Sequence, residues 1–272
     1  MSEESKNRSP KMPKVIIPVI VLILILIVVL LLIRNCDGNG YDNSGTSSGD
    51  QAGESMTSMV SMPSATSTAD STSMQLPQKG DEFIWGKYEQ DGNTSNGEED
   101  IAWLVLDTTD DSALLLSVKN LDTLRYNDAQ GAPTTWETCT LRSWLNEDFI
   151  ETAFSADEMS KILLTSISTA DNAVFGTDGG NDTTDKIFLL SIEEVLEYFT
   201  SDEERLAVNT DHARSKGAYD YGGWGNWWLR SPGTNSSAVR TISCFDGTSS
   251  DSGTQAWDDI NAVRPALWVK FD

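Results

Sequence analysis

From Val15 to Ile33 the chain reads VIIPVIVLILILIVVLLLI, with no charged, hydroxyl or amide side chain in the run. No other feature constrains the chain as strongly. A helix rises about 1.5 Å per residue and the hydrocarbon layer of a bilayer is about 30 Å thick, so about 20 apolar residues suffice to cross it. Pro18 falls in the first turn, where its missing N–H breaks little. A cleaved signal peptide has an apolar core of about 7 to 15 residues followed by small residues at the cleavage site. This run is longer and passes into Arg34-Asn35-Cys36, which predicts an uncleaved transmembrane signal anchor. The residues before Cys36 also argue against a lipoprotein signal, which needs a small residue there. Lys6, Arg8, Lys11 and Lys14 precede the run, and after it only Arg34 is basic before Lys79. Basic flanks stay inside, so residues 1–14 are read as a cytoplasmic tail and everything after the span as extracytoplasmic: a single-pass protein of the cell membrane.

Acidic residues number 42 against 19 basic, a formal charge of −23. A field of that sign repels phosphate backbones and excludes nucleic acid as a partner, while suiting solubility or association with cations. Three cysteines, Cys36, Cys139 and Cys244, make no disulfide framework for a domain of this size. A single bridge between Cys139 and Cys244 is open to an exported protein, but two free or buried thiols are the expectation.

Residues 34–78 are rich in Ser, Thr, Gly, Asp and Met and carry no helical or strand period. Such a composition buries too little apolar surface to offset its ordering entropy, which predicts a disordered tether with a reach of about 35 to 40 Å. Residues 79–272 suffice for one globular domain, burying about 70% of its unfolded surface. Its first half reads as antiparallel strands at 82–88 (EFIWGKY), 101–107 (IAWLVLD) and 113–118 (ALLLSV), with Gly-containing turns between. Helical spacing over 135–149 places Leu141, Trp144, Leu145 and Phe149 on one face. Ser155, Ser191 and Ser201 each stand three residues before a glutamate, the capping-box spacing that starts a helix. Further strands are expected at 186–190, 227–230, 238–243 and 266–271, giving an α+β domain with a loop-rich last third.

Chemistry-bearing clusters are sparse. The single histidine, His212, lies among Asp211, Arg214 and Lys216 and is read as a surface structural residue; one imidazole cannot build a histidine-rich metal centre. The stretch TDGGNDTTDK offers Asp178, Asn181, Asp182 and Asp185 as oxygen ligands for calcium, although it lacks the alternating ligands and the closing glutamate of an EF-hand. The same residues also make a Gly-Gly turn followed by Asx and threonine turns. No other cofactor is indicated. Trp228 and Trp268 sit in strand-like runs and are expected in the core, whereas Trp224 and Trp257 lie among Gly, Asp and Ser and are expected to be exposed. After Gly233, core-type residues thin out. Loops on a rigid sheet are where binding residues concentrate, so Phe245 and Trp257 are read as stacking area, and Asp246, Asp251 and Asp258 as groups that orient a polar ligand.

Four motifs, WETCTLRSWLN (136–146), TTDKIFLLS (183–191), WWLRSPG (227–233) and VRPALWV (263–269), give residues 80–271 a resemblance to an uncharacterised domain family of unknown function. That family is common in exported proteins of Gram-positive bacteria, often after a signal anchor. More distantly, the order of these motifs is similar to the C-type-lectin-like fold, shared by formylglycine-generating enzymes and retroelement-diversified binding proteins. The enzymes would need two nearby cysteines for copper, and the related sulfoxide synthases several histidines; this chain departs from both. What is implied is a membrane-anchored, extracytoplasmic, non-catalytic ligand-binding or adhesion module for glycan or protein. The alternatives are a cell-wall glycoside hydrolase with paired carboxylates and a structural subunit of a membrane assembly.

Overall fold

Buried and open positions along EFIWGKY, followed by the branched and aromatic runs IAWLVLD and ALLLSV, produce the antiparallel meander that the sequence predicts. The computed structural model describes residues 75–271. The predicted anchor at 15–33, the tail at 1–14, Cys36 and most of the 34–78 linker lie outside the described residues. β1 (Glu82–Tyr88), β2 (Glu99–Thr108) and β3 (Ser112–Ser117) set Phe83 opposite Trp103 and Leu104 opposite Leu116. The register of β1 slips between Ile84 and Lys87, where Gly86 adopts a φ of 71°. A side chain there would strain the left-handed backbone, and its Cβ would lie 2.5 Å from Phe154 Cε1. The Gly86 N–H donates to Glu158 Oε1 at 3.2 Å.

After β4 (Asp122–Thr123) comes a helical stretch made of α1 (Thr140–Trp144), a π-helical turn (Leu145–Phe149) and α2 (Ile150–Ala153). Leu141, Leu145 and Phe149 are buried on one face as their spacing requires, but the helix begins five residues later than the 135 read from the sequence. The Thr135 N–H donates to Thr138 Oγ1 at 3.0 Å, and Cys139 Sγ accepts the Arg142 N–H at 3.4 Å. Turn bonds among the threonines therefore hold the first residues, and a thiol serves as N-cap. α3 (Ala156–Lys161) starts on the predicted capping box of Ser155 and Glu158. β5 (Thr165–Ile167), β6 (Thr183–Asp185) and β7 (Ile187–Phe188) follow, and α4 (Ile192–Tyr198) starts on the box of Ser191 and Glu194. The third spacing, at Ser201, yields only a 3-10 turn (Glu203–Arg205) without a side-chain cap. There the Glu204 carboxylate accepts the Thr200 N–H at 2.7 Å and the Thr200 hydroxyl at 3.1 Å, bonds that compete with a box.

α5 (Asp211–Ser215), β8 (Trp227–Pro232), β9 (Ala238–Ile242), β10 (Thr254–Gln255), β11 (Ala262–Val263) and β12 (Ala266–Lys270) complete the chain. Two five-stranded sheets result, in the orders β1-β2-β3-β12-β7 and β10-β9-β8-β11-β4, beside a small β5-β6 pair. The described region is thus mixed α and β, mostly strand with few short helices. Among the described residues no helix is long and apolar enough to cross a membrane.

The core is aromatic, and its four fully buried tryptophans each find a partner for the indole N–H. Trp103, Trp136, Trp227 and Trp228 are fully buried. Their indole N–H groups donate to Trp85 O (2.6 Å), Asp185 Oδ2 (2.9 Å), Arg205 O (3.0 Å) and Leu124 O (2.9 Å) respectively. Two buried arginines join the sheets. Arg230 on β8 donates to Leu189 O beside β7 (2.7 Å), to Ser168 O (3.1 Å) and to both oxygens of Glu194. Arg264 sits where the chain passes from β11 in the second sheet to β12 in the first. It donates to Ser117 O at 2.9 Å and to Arg205 O at 3.2 Å, and its guanidinium lies 4.9 Å from the Trp227 ring centroid.

Removing one partner of a buried pair leaves the other uncompensated. Arg230→Ala is expected to destabilise the fold by about 3 kcal/mol or more in urea denaturation. The double variant Arg230→Met/Glu194→Gln is expected to recover part of that loss.

Candidate functional site

The sequence Tyr219-Asp220-Tyr221-Gly222-Gly223-Trp224 forms a tight hairpin turn. Gly222 and Gly223 both take positive φ (63° and 98°), the conformation that primed hairpin turns require. Tyr221 N donates to Trp224 O at 2.8 Å, and Trp224 N to Tyr221 O at 3.2 Å. Asp220 braces the turn from outside, accepting the Gly223 N–H at 2.9 Å and Arg214 Nε at 2.8 Å. Asn209, almost fully buried, braces it from beneath: its N–H donates to Gly223 O and its side chain to Tyr219 O, both at 3.0 Å. Gly225 follows because a Cβ there would lie 1.9 Å from Asn209 Oδ1.

A second loop brings Phe245 to this turn. Ser243 and Thr248 close it backbone to backbone at 2.8 Å, and Asp246 Oδ1 accepts the Thr248 N–H (3.1 Å) and hydroxyl (2.8 Å). The Cys244 N–H donates to Asn226 Oδ1 at 2.8 Å, fastening this loop to the strand that leaves the first turn. The Phe245 ring then lies 4.7 Å from Tyr221 and 5.9 Å from Tyr219, centroid to centroid, tilted by 50° and 54°. These side chains are open to solvent: Tyr219 is 39% exposed, Tyr221 53%, Trp224 40% and Phe245 56%. Isolated exposed aromatics need no explanation, whereas a cluster of them makes a candidate interaction surface. Val208, itself exposed, pairs with Trp224 and also lines a cleft of about 370 Å³ together with Asp91, Glu99, Lys119, Asp211 and Arg214.

Of the ligand-facing residues read from the sequence, the structure brings Phe245 and Asp246 to this platform. Trp257 is half-buried and in no ring contact with Phe245. Asp251 pairs with Arg240 at 2.7 Å, and Asp258 accepts the Thr254 hydroxyl. Tyr219 and Tyr221 were not singled out by the sequence. The signal that marks them is aromatics flanking a Gly-Gly pair, Tyr-Asp-Tyr-Gly-Gly-Trp. Exposed Trp224 and buried Trp228 fall where expected, and Trp268 packs against the core.

The aspartates of 178–185 are divided among structural tasks. Asp185 is buried and accepts Trp136 Nε1 (2.9 Å), Arg142 Nε (2.7 Å) and the Thr183 hydroxyl (2.6 Å), so it anchors α1 to β6. Asp178 Oδ1 accepts the Gly180 N–H at 2.9 Å, and Asn181 Nδ2 donates to Glu137 at 2.9 Å; Asp182 is exposed. Among the described residues, the group whose carboxylate oxygens all lie within 4.8 Å of one another is Glu89, Asp91 and Glu99. Those oxygens accept loop N–H groups, for example Glu99 from Gln90 at 2.7 Å and Asp91 from Asn93 at 2.7 Å.

The position of His212 differs from its surface reading. Its side chain is only 20% exposed, with Nε2 3.7 Å from Oδ2 of the buried Asp122. Asp122 also accepts the Tyr88 hydroxyl at 2.5 Å and Lys216 Nζ at 2.7 Å. Burial and the Asp122 charge push the Tyr88 hydroxyl far above its usual range. Cys139 and Cys244 are unpaired and buried, and burial pushes the Cys139 thiol up to about 12.

Fold and surface together define a class: an α+β domain of two joined sheets that displays an exposed aromatic platform. Residues 110–271 match the family described as Domain of unknown function (DUF6273), and the chain belongs to that family. No curated protein and no solved structure matches the chain.

Asp220 is held below the usual carboxylate range, first by Arg214 and then by the Gly223 N–H. A depressed folded value gives stabilisation that is present above the ordinary value of 3.8 and lost as pH falls through the lower folded one. The Gly222 and Gly223 amide signals are therefore expected to hold position in an NMR titration down to pH 3.8 and to move below it.

Proposed function

We propose that this protein is a non-catalytic, membrane-anchored module that holds a glycan or protein ligand outside the cell on the platform of Tyr219, Tyr221, Trp224 and Phe245. The observation that carries this reading is the mutual packing of the Tyr219, Tyr221 and Phe245 rings at the surface, from two loops that are each braced by an asparagine side chain. Aromatics left this open to solvent contribute less to folding than buried ones, and their flat faces suit a ligand. The C-type-lectin-like resemblance, with its loop-borne ligand sites on a rigid sheet, belongs to the same reading. So do the signal anchor at 15–33, the extracytoplasmic placement and an origin on Gram-positive cells. Asp251, Trp257 and Asp258 drop from the ligand set, which gains Tyr219, Tyr221 and Trp224; no cofactor is assigned.

In a glycan and cell-wall binding screen with the full-length protein, Tyr221→Ala and Phe245→Ala are expected to lose binding while unfolding within about 0.5 kcal/mol of the parent. Trp257→Ala and Asp251→Ala are expected to retain it. Equal binding by all four variants would place the site elsewhere. Topology is checked separately. Protease added to intact protoplasts is expected to remove the domain, and recovery of full-length protein would reverse the orientation.

A further inference from the structure

The aromatic platform differs from an ordinary protein-docking patch in where its charges lie. Protein interfaces are depleted of charge at their centre and carry it at the rim. Here Asp220 stands between Tyr219 and Tyr221 in the chain, and Asp246 directly follows Phe245. Both are held below the usual carboxylate range, Asp220 first by Arg214 and Asp246 first by the Thr248 hydroxyl. Asp246 is exposed beside the exposed Phe245, and a ring surface edged by a carboxylate suits a ligand that alternates C–H faces with polar edges, as a pyranose chain does. Positive charge on this side is carried by Arg214 and Lys119. Arg214 pairs with Asp220 and with Asp211, so its guanidinium is committed to the protein's own carboxylates. The cleft that continues from Val208 sets Asp91, Glu99, Asp100 and Asp211 against Lys119 and Arg214, a surplus of negative charge, and the chain as a whole carries −23. Sulfated, phosphorylated or carboxylated polymers meet repulsion here, whereas an ammonium group meets attraction from the carboxylates and from the ring faces.

We infer that the ligand of this surface is an amine-bearing polysaccharide, its sugar rings lying on Tyr219, Tyr221 and Phe245 and its ammonium groups facing Asp246 and the carboxylates of the adjoining cleft. The inference rests on the binding role proposed above and adds the charge of the ligand to it. Ring stacking supplies affinity for sugar in general, and the carboxylates discriminate the free amine from its acetylated form.

The test titrates the full-length protein, in detergent, with a glucosamine hexamer, an N-acetylglucosamine hexamer and a sulfated dextran at mildly acidic pH and low salt. The glucosamine hexamer is expected to bind about tenfold tighter than the acetylated one, an advantage that shrinks as salt is raised, and the sulfated polymer is expected not to bind. Phe245→Ala and Tyr221→Ala, checked for folding by circular dichroism, are expected to weaken both hexamers. Asp246→Asn keeps an oxygen for the Thr248 turn and is expected to weaken only the glucosamine hexamer. Equal affinity for the two hexamers overturns the amine preference and leaves the stacking platform standing. Tight glucosamine binding that survives Phe245→Ala and Tyr221→Ala reduces the effect to net charge and also overturns the inference. Binding of neither hexamer, or of a cell-wall protein in their place, removes the saccharide reading of the platform itself.

Discussion

Two buried guanidinium groups hold the two sheets of this domain together. Arg230 reaches from the middle of the second sheet to the carbonyl beside β7 of the first, and its charge is answered by Glu194. Arg264 has no carboxylate; two carbonyls and the faces of Trp227 and Phe199 surround it. Burial alone draws its pKa down to about 9, still high enough for the charge to persist at neutral pH. Carrying a buried cation on carbonyl dipoles and ring quadrupoles is tolerable only where the geometry is fully made. The crossover from β11 to β12 is thereby tied to one arrangement of Ser117, Arg205 and Trp227. Glu194 meanwhile serves twice, closing the cap of α4 and neutralising Arg230.

The aromatic surface is built out from this frame through asparagine side chains. Asn120, fully buried, donates to Asn209 Oδ1 at 2.9 Å and to Ala207 O at 3.2 Å. Asn209 in turn holds Tyr219 and Gly223, and Asn226 holds the loop of Phe245. Rings presented by loops braced this way lose little freedom on meeting a ligand, which favours affinity more than added contact area does.

Much of this was legible in the sequence, for local reasons. The meander of β1 to β3 shows as alternating and branched runs, and the boxes at Ser155 and Ser191 as a three-residue spacing whose partners lie within one turn. Where the reading departed, a distant or competing partner decided. The helix expected from 135 waits for residue 140 because threonines bond one another first, and Thr200 competes for Glu204 at the third spacing. Asp185, read as a metal ligand, is claimed by Trp136 and Arg142, and Asp251 by Arg240; no local pattern announces such partners. Phe245 and Asp246 stood out by composition. Tyr219 and Tyr221 did not, because their exposure depends on Asn209 and Asp220 holding a turn that the sequence shows only as two glycines. His212 looked like a surface residue because its partner, Asp122, lies far away in the chain.

The bulge at Gly86 has a bearing on how copies of this domain behave in each other's company. A sheet edge with free N–H and C=O groups invites strand addition from a neighbour. β1 is the longest edge strand of the two large sheets, and it is broken by a left-handed glycine whose N–H is already given to Glu158. The other three edges, β7, β10 and β4, are each two residues long, too short to template a ladder. Among the described residues the two large sheets therefore offer no long unbroken edge from which edge-to-edge polymerisation could start, even where copies are crowded together.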